Sequence, residues 1–250
     1  MENNEIIEQL SSDDEILASL AMKDLLARQD VEDVVAAYMD APNPNLRRHI
    51  HQIATINERR LKVNGDFKEA LLDDRRSFWD LAVTINCILD HQTTPMQING
   101  IMERYLPHPV EVVKSITAFA KILSDTGLHT ENVPQHYLTD FLVNDVMLNN
   151  CGDECGVALV AQRLGAIYGW PLIIGFYRNA LALRDRMFNV LLPNEWGVTH
   201  ALTKEFLPLD KHSFAIYYLG QMRNAATIDQ LPLLIARLSY LLHTSIILKR

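Results

Sequence analysis

Cysteine is scarce in this sequence. The 250 residues include three cysteines, Cys87, Cys151 and Cys155, which are too few and too odd in number to build a disulfide framework. Disulfides persist in oxidising compartments and are rare in the cytoplasm. We therefore expect three reduced thiols and a cytoplasmic location.

Long apolar runs are also missing. No segment approaches the roughly 18 consecutive apolar residues of a membrane-spanning helix. Met1 is followed by Glu2 and Glu5, whereas a signal peptide begins with a basic region and then an apolar one. The sequence therefore predicts neither a secretory leader nor a membrane span.

Basic residues are outnumbered by acidic ones. Lysine and arginine total 23, aspartate and glutamate total 31, and the formal net charge is -8. Because phosphate binding depends mainly on lysine and arginine, this balance argues against a general binder of nucleic acid or of anionic membranes.

One basic stretch departs from this balance. Residues 46–62 carry Arg47, Arg48, Arg59 and Arg60 among apolar residues at helical spacing. The stretch either binds a phosphate or acidic partner, or it is the solvated face of an amphipathic helix. If it binds nucleic acid, the binding should weaken steeply with salt.

The sequence does contain enough apolar residues for a full core. They make up 48% of the chain, which suits one large domain or two small ones. In the N-terminal half they follow helical spacing, and no repeat of fixed period is present. Spacing, capping residues and prolines predict helices over residues 13–29, 31–39, 46–62, 66–91 (as one helix or two), 95–106 and 109–128.

The C-terminal half mixes helix and strand patterns. A short helix near Leu138 and a Gly-Asp-Glu-Cys-Gly turn precede a helix that Asp153 caps and that Gly169 and Pro171 end. Apolar runs of strand length then predict adjacent antiparallel strands over residues 171–177, 180–184 and 187–192. A helical turn over 200–206 and a helix pair over 211–225 and 231–248 complete the predicted elements.

These patterns predict an α+β fold. It has a largely helical N-terminal half, a core of one helix with antiparallel strands, and a C-terminal helix pair. We place the regions at 1–130, 131–208 and 209–250, and expect them to form one compact unit.

Cys155 is the candidate nucleophile. It lies at the second position of the predicted helix, where free backbone N–H groups and the helix dipole favour a thiolate. Asp153 and Glu154 oppose this effect, because adjacent carboxylates disfavour a further negative charge, and the direction of its pKa stays open. A zinc site at Cys151 and Cys155 would need two more ligands, and no close histidine pair supplies them. We therefore expect no metal and no cofactor.

Cysteine catalysis also needs a base and a group that orients the base. Three histidines lie in the flanking loops, His129 and His136 before the central helix and His200 after the third predicted strand. His200 is the candidate base.

Two segments, Tyr137–Gly152 and Val157–Leu172, carry a family resemblance. They present an aromatic segment, an apolar helix, a polar turn with glycine, a second helix and then Gly-Trp-Pro before the strands. This order resembles the SirB family, bacterial proteins with a transglutaminase-like domain followed by TPR-like helices. The resemblance extends through Tyr218–Asn224 and Leu231–Leu242, where the family has its helical tail.

The resemblance implies a cysteine at the helix start, with histidine and aspartate on the next strands. Cys155 lies near the nucleophile position, but Ala180 falls on the histidine position and Leu192-Pro193 falls on the Asp-Pro. By this comparison the domain keeps the fold without the chemistry.

Two functions are consistent with the sequence. The first is a non-catalytic cytoplasmic interaction or regulatory protein, which binds a protein partner through a cleft beside Asp153, Arg178 and Asn179 or through the C-terminal helix pair. The second is a cysteine-dependent hydrolase or acyltransferase that uses Cys155 with His200 as its base.

Overall fold

The structure is a computed structural model and describes residues 3–28, 30–90, 92–106, 113–202 and 204–249. The side chains of Asn3 and Arg60 lie outside the described part. The chain divides into two compact units, Met1–Asp66 and Phe67–Arg250. The boundaries at residues 130 and 208 that the sequence suggests both fall within the second unit, and they stay predictions.

The first unit is helical. Its helices are α1 (Asn3–Leu10), α2 (Glu15–Leu26), α3 (Val31–Tyr38) and α4 (Pro44–Leu72), of which the last turn of α4 belongs to the second unit. Asp14 caps α2 by accepting hydrogen bonds from the backbone N–H groups of Ile16 and Leu17. Inside the core, the buried His49 ring donates from Nδ1 to the Leu10 carbonyl at 2.8 Å.

Helix α4 is longer than the sequence suggests. The prediction separated residues 46–62 from a new helix at Asp66, but α4 continues through Gly65 to Leu72. A glycine inside a helix costs only about 1 kcal/mol, and burial of Phe67 and Leu71 favours continuation.

The helices of the second unit that precede its sheet are short. They are α5 (Phe78–Leu89), α6 (Pro95–Arg104), α7 (Ile116–Asp125), a 3-10 turn (Leu138–Asp140), α8 (Val143–Asn149) and α9 (Glu154–Ile167). Helices α5 and α6 each begin with a capping box, Ser77 with Asp80 and Thr94 with Gln97. The predicted helix over 66–91 is therefore two separate helical segments, and part of the predicted helix over 109–128 lies outside the described residues.

Two sheets accompany these helices. Strands β1 (His129–Thr130) and β2 (Cys151–Gly152) form a short parallel pair. The main sheet is antiparallel, in the order β6-β5-β4-β3-β7. Its strands are β3 (Ile173–Tyr177), β4 (Ala180–Arg184), β5 (Asn189–Leu191), β6 (Val198–His200) and β7 (Phe206–Pro208).

The three predicted strands after Pro171 are confirmed, but the predicted helical turn over 200–206 is wrong. His200 ends β6, where it pairs with Asn189, and Phe206 begins β7, where it pairs with Tyr177. His200 pairs with the preceding strand and Phe206 pairs with a strand that is distant in sequence, so pairing within the sheet decides the local conformation.

Helices α10 (Lys211–Ile228) and α11 (Pro232–Leu248) close the chain as the predicted pair. The buried residues of α11 include Leu238, Leu241 and Ser245. The fold is α+β, as predicted. Among the described residues, no helix is both long enough and apolar enough to span a membrane.

Candidate functional site

Cys155 lies in the first turn of α9. Asp153 is the N-cap, as predicted, and its Oδ1 accepts the backbone N–H of Cys155 at 2.7 Å. The residue is 1% exposed. A side chain at a helix start is usually open to solvent, so this thiol is covered by other parts of the fold.

Two glycines allow the chain to close over this helix start. A Cβ atom on Gly152 would lie 2.5 Å from the Asp140 carbonyl oxygen, and one on Gly156 would lie 3.0 Å from the same atom. The Asp153 N–H also donates to the Asp140 carbonyl at 2.8 Å. The 3-10 turn therefore lies directly against the backbone on either side of Cys155. The sequence signal for this closure is the glycine on each side of Asp-Glu-Cys, which the helix and strand patterns do not single out.

The surroundings of the thiol are acidic. Burial raises the pKa of Cys155 well above its ordinary value, and the neighbouring carboxyl groups of Asp153 and Glu154 raise it further. Burial also raises the pKa of Asp153 and of Glu154. The direction of the Cys155 pKa, which the sequence left open, is therefore upward, and burial is its largest cause. Because the thiolate is the nucleophile, this cysteine is a poor one at neutral pH.

Two tyrosines from α10 complete the polar surroundings. The buried Tyr218 hydroxyl donates to the Phe141 carbonyl at 2.6 Å. Burial and the charges of Cys155 and Asp153 raise the pKa of both Tyr217 and Tyr218. We call Asp153, Glu154, Cys155, Tyr217 and Tyr218 the Cys155 cluster. Nothing in the local sequence pattern brings these tyrosines to the cysteine.

The candidate base His200 is not part of this cluster. It is exposed at the end of β6, the edge strand of the main sheet. His129 is also exposed, with its Nδ1 donating to the Gly127 carbonyl at 2.7 Å.

His136 is the histidine that the fold brings to the start of α9. Its Nδ1 lies 3.3 Å from Asp140 Oδ2, and its charge lowers the pKa of Asp153 and Glu154 against the larger effect of burial. Within the described chain, however, no hydrogen bond or ion pair joins a histidine to the Cys155 thiol.

The predicted binding residues are split between two places. Asp153 is in the Cys155 cluster, whereas Arg178 and Asn179 form the exposed turn between β3 and β4. Both turn residues have positive φ angles, 49° and 69°, as a two-residue type I′ hairpin requires. Arg178 stacks on the Tyr177 ring at 5.0 Å. Within the described residues, no hydrogen bond or ion pair joins this turn to Asp153.

A single hydrogen bond links β4 to the helix start. The Leu181 N–H donates to Glu154 Oε2 at 3.4 Å. Ala180, which the family resemblance places at the histidine position, is the neighbouring residue at the start of β4.

The other two cysteines are also protonated at neutral pH. Burial raises the pKa of Cys87 to about 11. Burial, together with the hydrogen bond that its Sγ donates to Glu131 Oε1 at 3.2 Å, raises the pKa of Cys151 to about 11. In the part of the chain that the structure describes, no group of three or more histidine, cysteine and acidic side chains is arranged to hold a metal ion.

Comparisons with known protein families, with characterised proteins and with solved structures found no match. The site must therefore be interpreted from its own geometry.

A second candidate surface lies on α11. Leu233 is 78% exposed, Tyr240 is 47% exposed and Ile247 is 53% exposed. These residues recur every seventh position, and the exposed Ala236 lies between the first two. We call Leu233, Ala236, Tyr240 and Ile247 the α11 stripe. Its spacing is that of one face of a helix.

The basic stretch on α4 has an exposed basic face and a buried apolar face. Arg47, Arg48 and Arg59 are exposed, while Leu46, Ile50 and Ile53 are buried. This is the arrangement of an amphipathic helix with a solvated basic face. Binding of a phosphate or nucleic acid to that face stays a prediction.

Proposed function

We propose that this chain is a non-catalytic interaction protein of the cytoplasm. The observation that supports the proposal best is the closed Cys155 cluster. Its thiol is 1% exposed and lies beside the carboxyl groups of Asp153 and Glu154, which add to the effect of burial in raising its pKa. A protein that kept this cysteine for catalysis would need the thiol open to substrate and beside a base.

The Cys155 thiol lacks the activation that a catalytic cysteine needs. General-base assistance is typically worth about 10²- to 10⁴-fold in rate. At Cys155 the raised pKa removes thiolate, and burial removes access. The cluster is better explained as a polar part of the core, in which Asp153 accepts the Cys155 N–H and the Tyr218 hydroxyl donates to the Phe141 carbonyl.

Kinship with the SirB family and its transglutaminase-like domain is part of this proposal. It is supported by the sequence resemblance and by the order of one helix followed by antiparallel strands. Ala180 at the position of the histidine is consistent with a domain that lacks the chemistry. Because fold kinship does not transfer function, the partner has to be inferred from the surface of this chain.

One observation favours a second candidate, a cysteine-dependent hydrolase or acyltransferase. The His136–Asp140 pair, at 3.3 Å, resembles a base with its orienting carboxylate. For this pair to serve Cys155, the 3-10 turn would have to move away from the glycines on either side of the cysteine.

An acyl-transfer assay separates the two functions. Wild type and Cys155→Ser are mixed with excess p-nitrophenyl acetate, and nitrophenolate release is followed with time. For a non-catalytic protein we expect the same slow release from both chains and no burst. A burst equal to the protein concentration that disappears in Cys155→Ser would establish an acyl-enzyme and reject the proposal.

A further inference from the structure

Helix α11 is apolar on two sides. Its inner residues Leu238 and Leu241 are buried, yet five of its outward-facing residues are also apolar. Those residues are Leu233, Ala236, Tyr240, Ile246 and Ile247. A helix that is apolar all round is normally buried, whereas a surface helix carries polar residues on its outer face. The α11 stripe therefore has the composition of an interface.

The segment that carries the stripe is basic. Arg237 and His243 are exposed next to it, and the sequence from Leu231 to Arg250 contains no aspartate or glutamate. The Arg237 Nη1 donates to the Ile88 carbonyl at 3.3 Å, which holds the guanidinium beside the stripe and leaves its other N–H groups available. The rest of the chain is acidic, so this basic border is a local feature.

The charge pattern argues against a second copy of α11 as the occupant. A second copy has no carboxylate between Leu231 and Arg250, so neither a parallel nor an antiparallel pair of α11 helices brings one to the Arg237 guanidinium. A partner that supplies carboxylates matches this surface better.

We propose that the α11 stripe docks an acidic amphipathic helix of a partner protein. Apolar residues of that helix, repeating at heptad spacing over two heptads, pack against Leu233, Tyr240 and Ile247, and its flanking carboxylates face Arg237. This inference rests on the proposed function as an interaction protein and names the class of its partner.

The probe is a designed peptide of three heptads. Leucine occupies positions a and d, and glutamate occupies e and g, so repulsion between glutamates weakens pairing of the peptide with itself. A matched peptide has lysine at e and g. Binding to the full chain is measured by fluorescence anisotropy at low and high salt.

We expect the glutamate peptide to bind at least 10-fold more tightly than the lysine peptide, and more weakly as salt increases. Tyr240→Glu should weaken it at least 10-fold, and Tyr240→Phe should preserve it. Met96→Glu is the matched control, because Met96 is 86% exposed on α6, outside the stripe. Circular dichroism melts identify any variant that fails to fold.

Several results would overturn the proposal. Absence of binding, equal binding of both peptides, or equal binding by Tyr240→Glu would each remove the acidic helix as the partner. A dimer in sedimentation equilibrium that Tyr240→Glu dissociates would assign the stripe to a second copy. Binding to phosphatidylserine vesicles that Tyr240→Glu abolishes would assign it to lipid. None of these depends on the acyl-enzyme burst, so failure of this inference and failure of the proposed function are distinguishable.

Discussion

The backbone is tightly packed at the start of α9, so replacing glycine by alanine should have opposite effects on stability in α9 and in α10. Replacing glycine by alanine inside a helix normally stabilises it by about 1 kcal/mol. At Gly156, however, the added Cβ would lie 2.8 Å from Val146 Cγ2, 3.0 Å from the Asp140 oxygen and 3.2 Å from the Phe141 oxygen. At Gly220, in α10, no atom lies within 4 Å of it.

The neighbours of Gly156 resist movement. The Asp140 oxygen accepts the Asp153 N–H at 2.8 Å, and the Phe141 oxygen accepts the Tyr218 hydroxyl at 2.6 Å. Overpacking of a well-packed site costs about 1–3 kcal/mol. Because this cost offsets or exceeds the helix-propensity gain of about 1 kcal/mol, Gly156→Ala should lower the free energy of unfolding by up to about 2 kcal/mol. Gly220→Ala should raise it by about 0.5–1 kcal/mol.

Urea unfolding followed by tryptophan fluorescence measures both effects. All three tryptophans of the chain, Trp79, Trp170 and Trp196, lie in the second unit, with the two glycines. If Gly156→Ala is as stabilising as Gly220→Ala, the 3-10 turn does not lie against the helix start. The closed Cys155 cluster would then be wrong.

Two further substitutions test the cluster by the same urea titration. Burial raises the pKa of Asp153 above its ordinary value of 3.8, so the folded chain binds the carboxyl proton more tightly than the unfolded chain does. The contribution of this group to the free energy of unfolding therefore falls as the pH rises from 3.8 to the pKa of the folded state. Asp153→Asn can still cap the helix, so the variant should gain stability relative to wild type between pH 4 and pH 7, and an unchanged difference would refute the buried carboxylate. Tyr218→Phe leaves the buried Phe141 carbonyl without its hydroxyl donor, at a cost of about 1–3 kcal/mol. An unaltered urea midpoint would show that this hydrogen bond does not form.

Local signals made much of the fold predictable. Asp153 caps α9, Pro171 follows its end, and the strands after it alternate with polar turns, so each boundary is encoded within a few residues. Strands β6 and β7 are different. Each has three residues, too few for a pattern. Strand β6 forms by pairing with the preceding strand β5, and β7 forms by pairing with β3, which is distant in sequence.

The site was predictable only in part. The sequence places Cys155 at a helix start beside two carboxylates. The pKa of its thiol, however, depends on the helix dipole, the neighbouring charges and burial together, and burial depends on what covers the thiol. That cover comes from the turn at Asp140 and from Tyr218, which is more than 60 residues away along the chain. Likewise, the sequence shows three histidines in the flanking loops, and only the fold shows that His136 is the one near the start of α9.

The most direct test of the account is the alkylation rate of each cysteine as a function of pH. Iodoacetamide modification is resolved by mass spectrometry, with the urea-unfolded chain as reference. A pKa of about 11 at Cys87 and Cys151, against an ordinary value of 9.0, leaves about 100-fold less thiolate at pH 7. The account predicts that both react slowly and that Cys155, which is buried as well, reacts most slowly at every pH. Alkylation of Cys155 in the folded protein faster than in urea, with an inflection below pH 8 that His136→Ala removes, would contradict it.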